Sequence, residues 1–336
     1  MPFPTKAAVL TKLGDPEVFE IREINLPWPG NNDDVLVRIE AAGVNPADTF
    51  FRALGPYIGD GPGAVLGHDG AGIVEAIGDA VTTVKPGDRV CFCNGGVGGD
   101  PGTYAYHAVV PEGLLARVPD SVDMATAAAI PLVFITAWEA LVERAQLKSG
   151  ETVLVHGGAG GTGQITTQIA RELGARVATT VSNDEKAALS KSLGAEIAID
   201  YTDNDFVKVI HQWTDGKGVN VGFDNAGPEI FKRTLSAMAP YGRLVTLMGM
   251  PGDLEDESAY NKNLSIHNVM MLTPMWQGLS AERSRQAEIV RQAMSWLDND
   301  RIKVNLVGSY ALENVAEAHR QLENGGMLGK VVLTMD

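Results

Sequence analysis

The sequence predicts an α/β protein in which a doubly wound parallel sheet is inserted into a β-rich domain. Three observations predict it. Short strands separated by Gly/Pro turns fill roughly the first 120 residues, a spacing that suits a compact β domain and not βαβ units. From Thr152 the chain alternates apolar strands with helices. After Pro274 that alternation stops. A length of 336 residues suits about two domains. Their bounds are read as 1–125 plus 274–336 for the β-rich domain and 126–273 for the inserted one.

In the β-rich part, Val35-Leu36-Val37-Arg38-Ile39 alternates apolar and polar, and Ala71–Gly78 is a second strand bounded by glycines. Lys85-Pro86-Gly87-Asp88 is a turn before Arg89–Cys93, and Tyr104–Val110 and Leu114–Val118 continue the pattern. The two cysteines, Cys91 and Cys93, stand two apart and share one strand face. A Cys-x-Cys pair alone does not make a zinc site, which usually has four ligands. They read as small packed side chains in a reducing compartment. Met124–Arg144 is Ala-rich and reads as a buried helix, with Pro131 placed to kink or split it.

The inserted part reads as six strands, Thr152–His156, Arg176–Val181, Glu196–Ile199, Val219–Asp224, Arg243–Gly249 and Ser265–Leu272. Helices at Thr162–Leu173, Asp184–Leu193, Asn204–Trp213 and Glu229–Met238 join them, as in two βαβαβ halves of one parallel sheet. Beyond Pro274 come a helix at Ala281–Leu297, a strand, a helix at Leu312–Leu322 and a last strand at Lys330–Met335. These have no place in the parallel sheet, so the tail is expected to return to the first domain.

The first strand runs into His156-Gly157-Gly158-Ala159-Gly160-Gly161-Thr162-Gly163 and then a helix. Backbone N–H groups at such a turn, the helix dipole and the absent side chains make a site for a pyrophosphate. Ala159, Gly160, Gly161, Thr162 and Gly163 are the expected contacts. A residue about 20 positions further meets the adenosine ribose, and an acid there favours NAD. The second strand ends instead Thr179-Thr180-Val181-Ser182, with Lys186 on the following helical turn. Ser182 and Lys186 therefore favour NADPH. Asp184 and Glu185 lie beside them: behind a Ser182 or Asn183 cap they stabilise a helix start, whereas aimed at the ribose they would repel a phosphate. Ligands lie beyond the carboxyl ends of such strands. Asn225, Gly249, Met270 and Met271 should therefore border the nicotinamide half, and Tyr201 the adenine or the 2′-phosphate. Lys330 is a further candidate for the phosphate end.

Lys+Arg 27 against Asp+Glu 42 gives a net charge of −15, which argues against a nucleic-acid or anionic-membrane partner. No run of about 18 apolar residues and no N-terminal secretion signal is present, so the expected location is cytoplasmic.

Several motifs in order carry a family resemblance. They are Ala42-Gly43-Val44-Asn45-Pro46-Ala47-Asp48-Thr49, Gly67-His68-Asp69-Gly70-Ala71-Gly72, Lys85–Val90, Thr136-Ala137-Trp138, His156–Gly163 and Gly329-Lys330-Val331-Val332. Together they resemble the zinc-free quinone oxidoreductase (zeta-crystallin-like) branch of the medium-chain dehydrogenases/reductases. The resemblance implies a GroES-like β-rich catalytic domain, an inserted Rossmann domain and a cleft for NADPH and a small-molecule acceptor. It also implies a homodimer formed through the last Rossmann strand, here Ser265–Leu272. In the zinc-dependent relatives a Cys, a His and a second Cys hold the catalytic zinc. Asn45 takes the first Cys position and His68 the His position, while Pro131-Leu132-Val133-Phe134 supplies no second Cys. A lone His does not make a three-ligand site, so no metal is expected and His68 reads as a hydrogen-bonded structural residue.

By the same resemblance Asn45 offers a hydrogen bond near the nicotinamide or acceptor, Tyr57 lines the cleft, and Thr136 packs by the nicotinamide. Asp48 and Arg52 are expected as an ion pair or as cofactor contacts. Phe50, Phe51, Leu132, Phe134, Met271, Met275 and Trp276 suit an apolar acceptor wall. The implied reaction is hydride transfer from NADPH to a quinone. The alternatives are reduction of an α,β-unsaturated carbonyl or haloacrylate-type acid, and a non-enzymatic NADPH-binding structural protein.

Overall fold

The computed structural model describes residues 2–59, 61–252 and 257–335. The chain forms two compact units, Met1–Ile135 with Leu272–Asp336, and Thr136–Met271.

In the first unit one sheet runs in the order Leu306–Ala311, Lys330–Thr334, Asp34–Val44, Asp69–Ile77, Arg89–Cys93, Ala116–Arg117. His107–Pro111 also pairs with Asp34–Val44. Phe3–Leu10 and Phe19–Leu26 form a separate antiparallel ribbon. The long central strand carries Val35, Val37 and Ile39 into a core with Val74, Val90, Phe92 and Val110. Full burial of each such side chain contributes about 1.5–3 kcal/mol. The tail does return here. Lys330–Thr334 lies antiparallel to Ala41–Val44, with Val331 opposite Val44, which puts Lys330 beside Asn45.

Two boundaries differ from the sequence pattern, and one break falls where it was expected. The expected strand from Tyr104 begins at His107, because Tyr104 N is drawn out of that ladder to Leu66 O. The Ala-rich segment is split at Pro131, as the sequence predicts. It divides into Met124–Ala129 and Pro131–Trp138, followed by a π-helical turn at Glu139–Arg144, as a proline without an N–H requires. The strand expected at Leu114–Val118 is only Ala116–Arg117, after a 3-10 turn at Glu112–Leu114.

The second unit holds one six-stranded sheet in the order Ile197–Asp200, Arg176–Val181, Thr152–Val155, Val219–Asp224, Met238–Thr246, Ser265–Asn268. All of its pairs are parallel. This is the doubly wound order that reverses beside the first strand. The fifth strand starts earlier than expected because the helix Pro228–Ala237 passes into it directly. The sixth is shorter than expected and ends at Asn268. Leu154, Ala178, Phe206, Phe231 and Leu244 form the core under one face.

Candidate cofactor and acceptor residues

The glycine-rich turn is built so that side chains have no room. Gly157 has φ +63°, the left-handed region. A Cβ on Gly163 would lie 2.1 Å from the Gly157 carbonyl oxygen, and one on Gly158 would lie 2.5 Å from Thr179 Cβ. Gly160 caps the helix Gly161–Glu172, whose first turn carries no acidic residue. The N–H groups of that turn have no acceptor within the helix. The turn thus presents a backbone cradle with the positive end of a dipole behind it, which fits a dinucleotide pyrophosphate. Ala159, Gly160, Gly161, Thr162 and Gly163 form it.

At the tip of the second strand, Lys186 Nζ donates to Ser182 Oγ at 2.8 Å. Asn183, not Ser182, caps the helix Asp184–Ser192, its Oδ1 accepting from Lys186 N at 2.9 Å. Asp184 and Glu185 are exposed on that first turn, and no ion pair joins them to Lys186 among the described residues. Tyr201 follows the third strand and is 52% exposed. Asn225 follows the fourth strand. A Cβ on Gly157 would stand 3.5 Å from its Oδ1, so the amide lies over the glycine turn. Asp224, which sequence reasoning missed, orders this loop: it is fully buried and accepts from Thr246 Oγ1, Ala226 N and Gly227 N. Burial pushes its carboxyl above the usual range. Gly249 has φ +77°. Met270 is exposed, while Met271 and Thr136 are buried.

In the first unit a buried polar cluster joins the starts of four segments. Asn45 caps the helix Pro46–Leu54, and Asp48 Oδ2 accepts from its N–H at 2.8 Å. Asn45 Nδ2 donates to Asp69 Oδ2 at 2.9 Å. Asp69 Oδ1 accepts from Leu132 N at 2.8 Å, at the start of the helix Pro131–Trp138. Lys330 Nζ donates to Asn45 Oδ1, and to Val44 O at 3.2 Å. Burial pushes Asp69 up to about 6, against the pull of Lys330 and of the Asn45 hydrogen bond. Burial likewise lowers the Lys330 ammonium. His68 is fully buried and its Nδ1 donates to Gly95 O at 2.8 Å. Its Nε2 faces Asp48 Oδ1 at 3.5 Å, longer than a hydrogen bond of ordinary length.

Three expectations are corrected by this cluster. Lys330 is 4% exposed and committed to Asn45 and Val44, so it is not a phosphate contact. Asn45 is 0% exposed and its amide bridges Lys330 and Asp69, so it does not offer that amide to an acceptor. Asp48 and Arg52 are not an ion pair. Arg52 makes a two-pronged pair with Glu323 at 3.0 and 2.6 Å and donates to Gly14 O at 2.8 Å. Lys330 meets Asn45 across 285 residues and Arg52 meets Glu323 across 271, which is why local spacing did not reveal them.

Tyr57 is 48% exposed. Its ring lies 3.9 Å from the half-buried Trp276 ring and meets Phe51 edge-on at 5.0 Å. Phe50 is exposed, while Phe51, Leu132, Phe134 and Met271 are buried. Cys91 and Cys93 are free, and burial raises both thiols, so neither is a ready thiolate. The donor set around Asn45 and His68 does not fit a zinc ion: a buried ammonium already bonds the amide oxygen there, and its charge opposes a dication. No group of three or more His, Cys, Asp or Glu among the described residues is arranged to hold a metal. Among the described residues no helix is long and apolar enough to cross a membrane.

Comparison with known proteins bears on both units. The family model described as "Alcohol dehydrogenase GroES-like domain" matches residues 31–120, and that described as "Zinc-binding dehydrogenase" matches residues 193–333. A quinone oxidoreductase of Pseudomonas aeruginosa is 34% identical, over 95% of this chain and 96% of its own. A 2-haloacrylate reductase of a Burkholderia species is 31% identical, over 97% and 98%. The solved structure of an alcohol dehydrogenase superfamily protein from Novosphingobium aromaticivorans matches with a TM-score of 0.91 at 32% identity. It covers 99% of this chain and all of its own. With a buried Lys–Asn–Asp cluster in one unit, a glycine-rich turn in the other and these relatives over nearly its full length, the chain belongs to the quinone oxidoreductase (zeta-crystallin-like) branch of the medium-chain dehydrogenase/reductase superfamily.

Proposed function

We propose that the protein is an NADPH-dependent quinone reductase that works without zinc. The observation that carries the cofactor choice is the Lys186–Ser182 pair at the tip of the second strand, in a position where NAD specificity would call for an acid. Ala159, Gly160, Gly161, Thr162 and Gly163 hold the pyrophosphate, and Ser182 and Lys186 the 2′-phosphate. Tyr201 borders the adenine. Thr136, Asn225, Gly249, Met270 and Met271 border the nicotinamide half. When bound, NADPH supplies a hydride.

The chain's own part is to hold the acceptor in reach and shield it from water. Tyr57 is the acceptor-side residue, with the Trp276 ring against it. Asn45 acts from inside, holding the start of the helix Pro46–Leu54 that leads to Tyr57. The quinone reading is preferred to a haloacrylate-type acid on one observation. A carboxylate substrate needs a cation, and Arg52 is committed to Glu323 and Gly14. We also read the chain as a cytoplasmic homodimer, joined through the exposed edge strand Ser265–Asn268, beside which Tyr241 and Tyr260 are 73% and 88% exposed.

The test is oxidation of NADPH and of NADH with a panel of quinones, enones and 2-haloacrylates, with and without a strong chelator. Turnover of quinones with NADPH that survives the chelator is expected. Loss of turnover on chelation defeats the zinc-free reading, equal use of NADH defeats the cofactor reading, and a preference for haloacrylates defeats the acceptor reading. Binding of NADPH without turnover on any acceptor points to a structural protein.

A further inference from the structure

His156 opens the glycine-rich turn yet is only 2% exposed, so it does not meet a ligand itself. Both ring nitrogens are engaged. Nδ1 lies 3.1 Å from Thr180 Oγ1 and Nε2 lies 2.8 Å from Thr234 Oγ1. We infer that His156 is a positioning residue for cofactor binding: it orients the Thr180 hydroxyl so that Gly157 is pinned and the turn is held open for a pyrophosphate. This rests on the reading of that turn as the dinucleotide site.

The direction of each hydrogen bond follows from the neighbours. Thr234 Oγ1 donates its one hydrogen to Ile230 O at 2.7 Å. Towards His156 it must therefore accept, which places the imidazole hydrogen on Nε2. Burial keeps the ring neutral, with a pKa near 3, and the nearby Arg233 charge acts in the same sense. Nδ1 is then a lone pair and takes the Thr180 hydroxyl hydrogen. The Thr180 oxygen is left as an acceptor, and Gly157 N donates to it at 3.2 Å. The chain of bonds is Gly157 N–H to Thr180 Oγ1, Thr180 O–H to His156 Nδ1, His156 Nε2–H to Thr234 Oγ1, and Thr234 O–H to Ile230 O. Each donor is used once.

This chain ties together three elements that the cradle needs in register. They are the end of the strand Thr152–Val155, the strand Arg176–Val181 that leads to Ser182, and the helix Pro228–Ala237 that follows Asn225. Gly157 is the residue whose left-handed backbone turns the loop, and its carbonyl receives Gly160 N at 3.0 Å. The Phe206 ring packs edge-on against the imidazole at 5.0 Å.

The experiment measures NADPH affinity by fluorescence titration, and kcat and acceptor KM at saturating NADPH, in His156→Phe, Thr180→Val and Thr180→Ser. His156→Phe and Thr180→Val should each weaken NADPH binding roughly fivefold to tenfold, the worth of one or two net hydrogen bonds. Neither should shift the acceptor KM. The double variant should lose no more than either alone, because both break one chain of bonds. Thr180→Ser keeps the hydroxyl and should restore binding. Unchanged NADPH affinity in His156→Phe overturns the inference, as does equal binding by Thr180→Val and Thr180→Ser. If His156→Phe does not fold, the Thr180 pair decides. Wild-type protein that binds neither NADPH nor NADH defeats the cofactor reading instead, a separate result.

Discussion

Asn45 and Asp69 stand 24 residues apart in the chain and meet inside the first unit, Nδ2 donating to Oδ2 at 2.9 Å. Lys330 completes the contact from the other end of the sequence. The strand that carries Lys330, the strand that begins at Asp69 and the helices that begin at Pro46 and Pro131 are thereby fastened at one buried point. A buried charge is stable only when paired and hydrogen-bonded.

Removing the ammonium should be costly. Lys330→Met takes away the cation that acts on the buried Asp69 carboxylate through the bridging Asn45 amide, and a buried charge left uncompensated costs on the order of a few kcal/mol. Lys330→Met with Asp69→Asn should recover part of the loss, since the Asp69 charge is removed together with the ammonium. Urea unfolding of both variants checks this, and a double variant no more stable than Lys330→Met counts against the pairing.

Asp69 also sets a pH dependence. Its folded pKa of about 6 lies above the ordinary carboxylate value, so the folded state binds the extra proton. The stability contribution of this group is therefore present at low pH and declines as pH rises from about 4 to about 6, by roughly 2–3 kcal/mol. The difference in unfolding free energy between wild type and Asp69→Asn, measured across that range, should shift in this direction. A constant difference rules it out.

Lys186→Ala should raise the KM for NADPH about tenfold, as loss of a charge-assisted hydrogen bond to a phosphate would, and leave NADH kinetics unaltered. Ser182→Asp should move the preference towards NADH. Parallel loss with both cofactors would mean that Lys186 does not read the 2′-phosphate.

Gly163→Ala puts a methyl group against the Gly157 carbonyl, where a Cβ would stand at 2.1 Å. The helix must move away from the turn. A stability loss of about 1–3 kcal/mol is expected from overpacking, together with weakened NADPH binding. A melting temperature and NADPH affinity equal to wild type would show that the turn yields more easily than its geometry implies.

Much of the second unit was legible in the sequence. Alternating apolar strands and helices, with a glycine run after the first strand, are local patterns with fixed periods, so the strands appear nearly where they were read. Ends were less legible where a contact from elsewhere decided them. Tyr104 leaves its strand for Leu66, and the sixth strand stops at Asn268. In the first unit the order of the sheet was not readable, because its neighbours are joined across long stretches of chain.

The site residues divide along the same line. Gly157, Gly163, Ser182 and Lys186 are proposed on backbone freedom or on neighbours within a few positions, features that residue types and spacing carry. Lys330 and Asn45 are 285 residues apart, and whether that ammonium meets a phosphate or an amide depends on the register of the last strand against Ala41–Val44. Arg52 finds Glu323 across 271 residues. His156 was visible inside the glycine motif, but its partners Thr180 and Thr234 come from two other elements. A buried polar group must pair with whatever polar group the packing brings to it, and that choice is made only when the chain has folded.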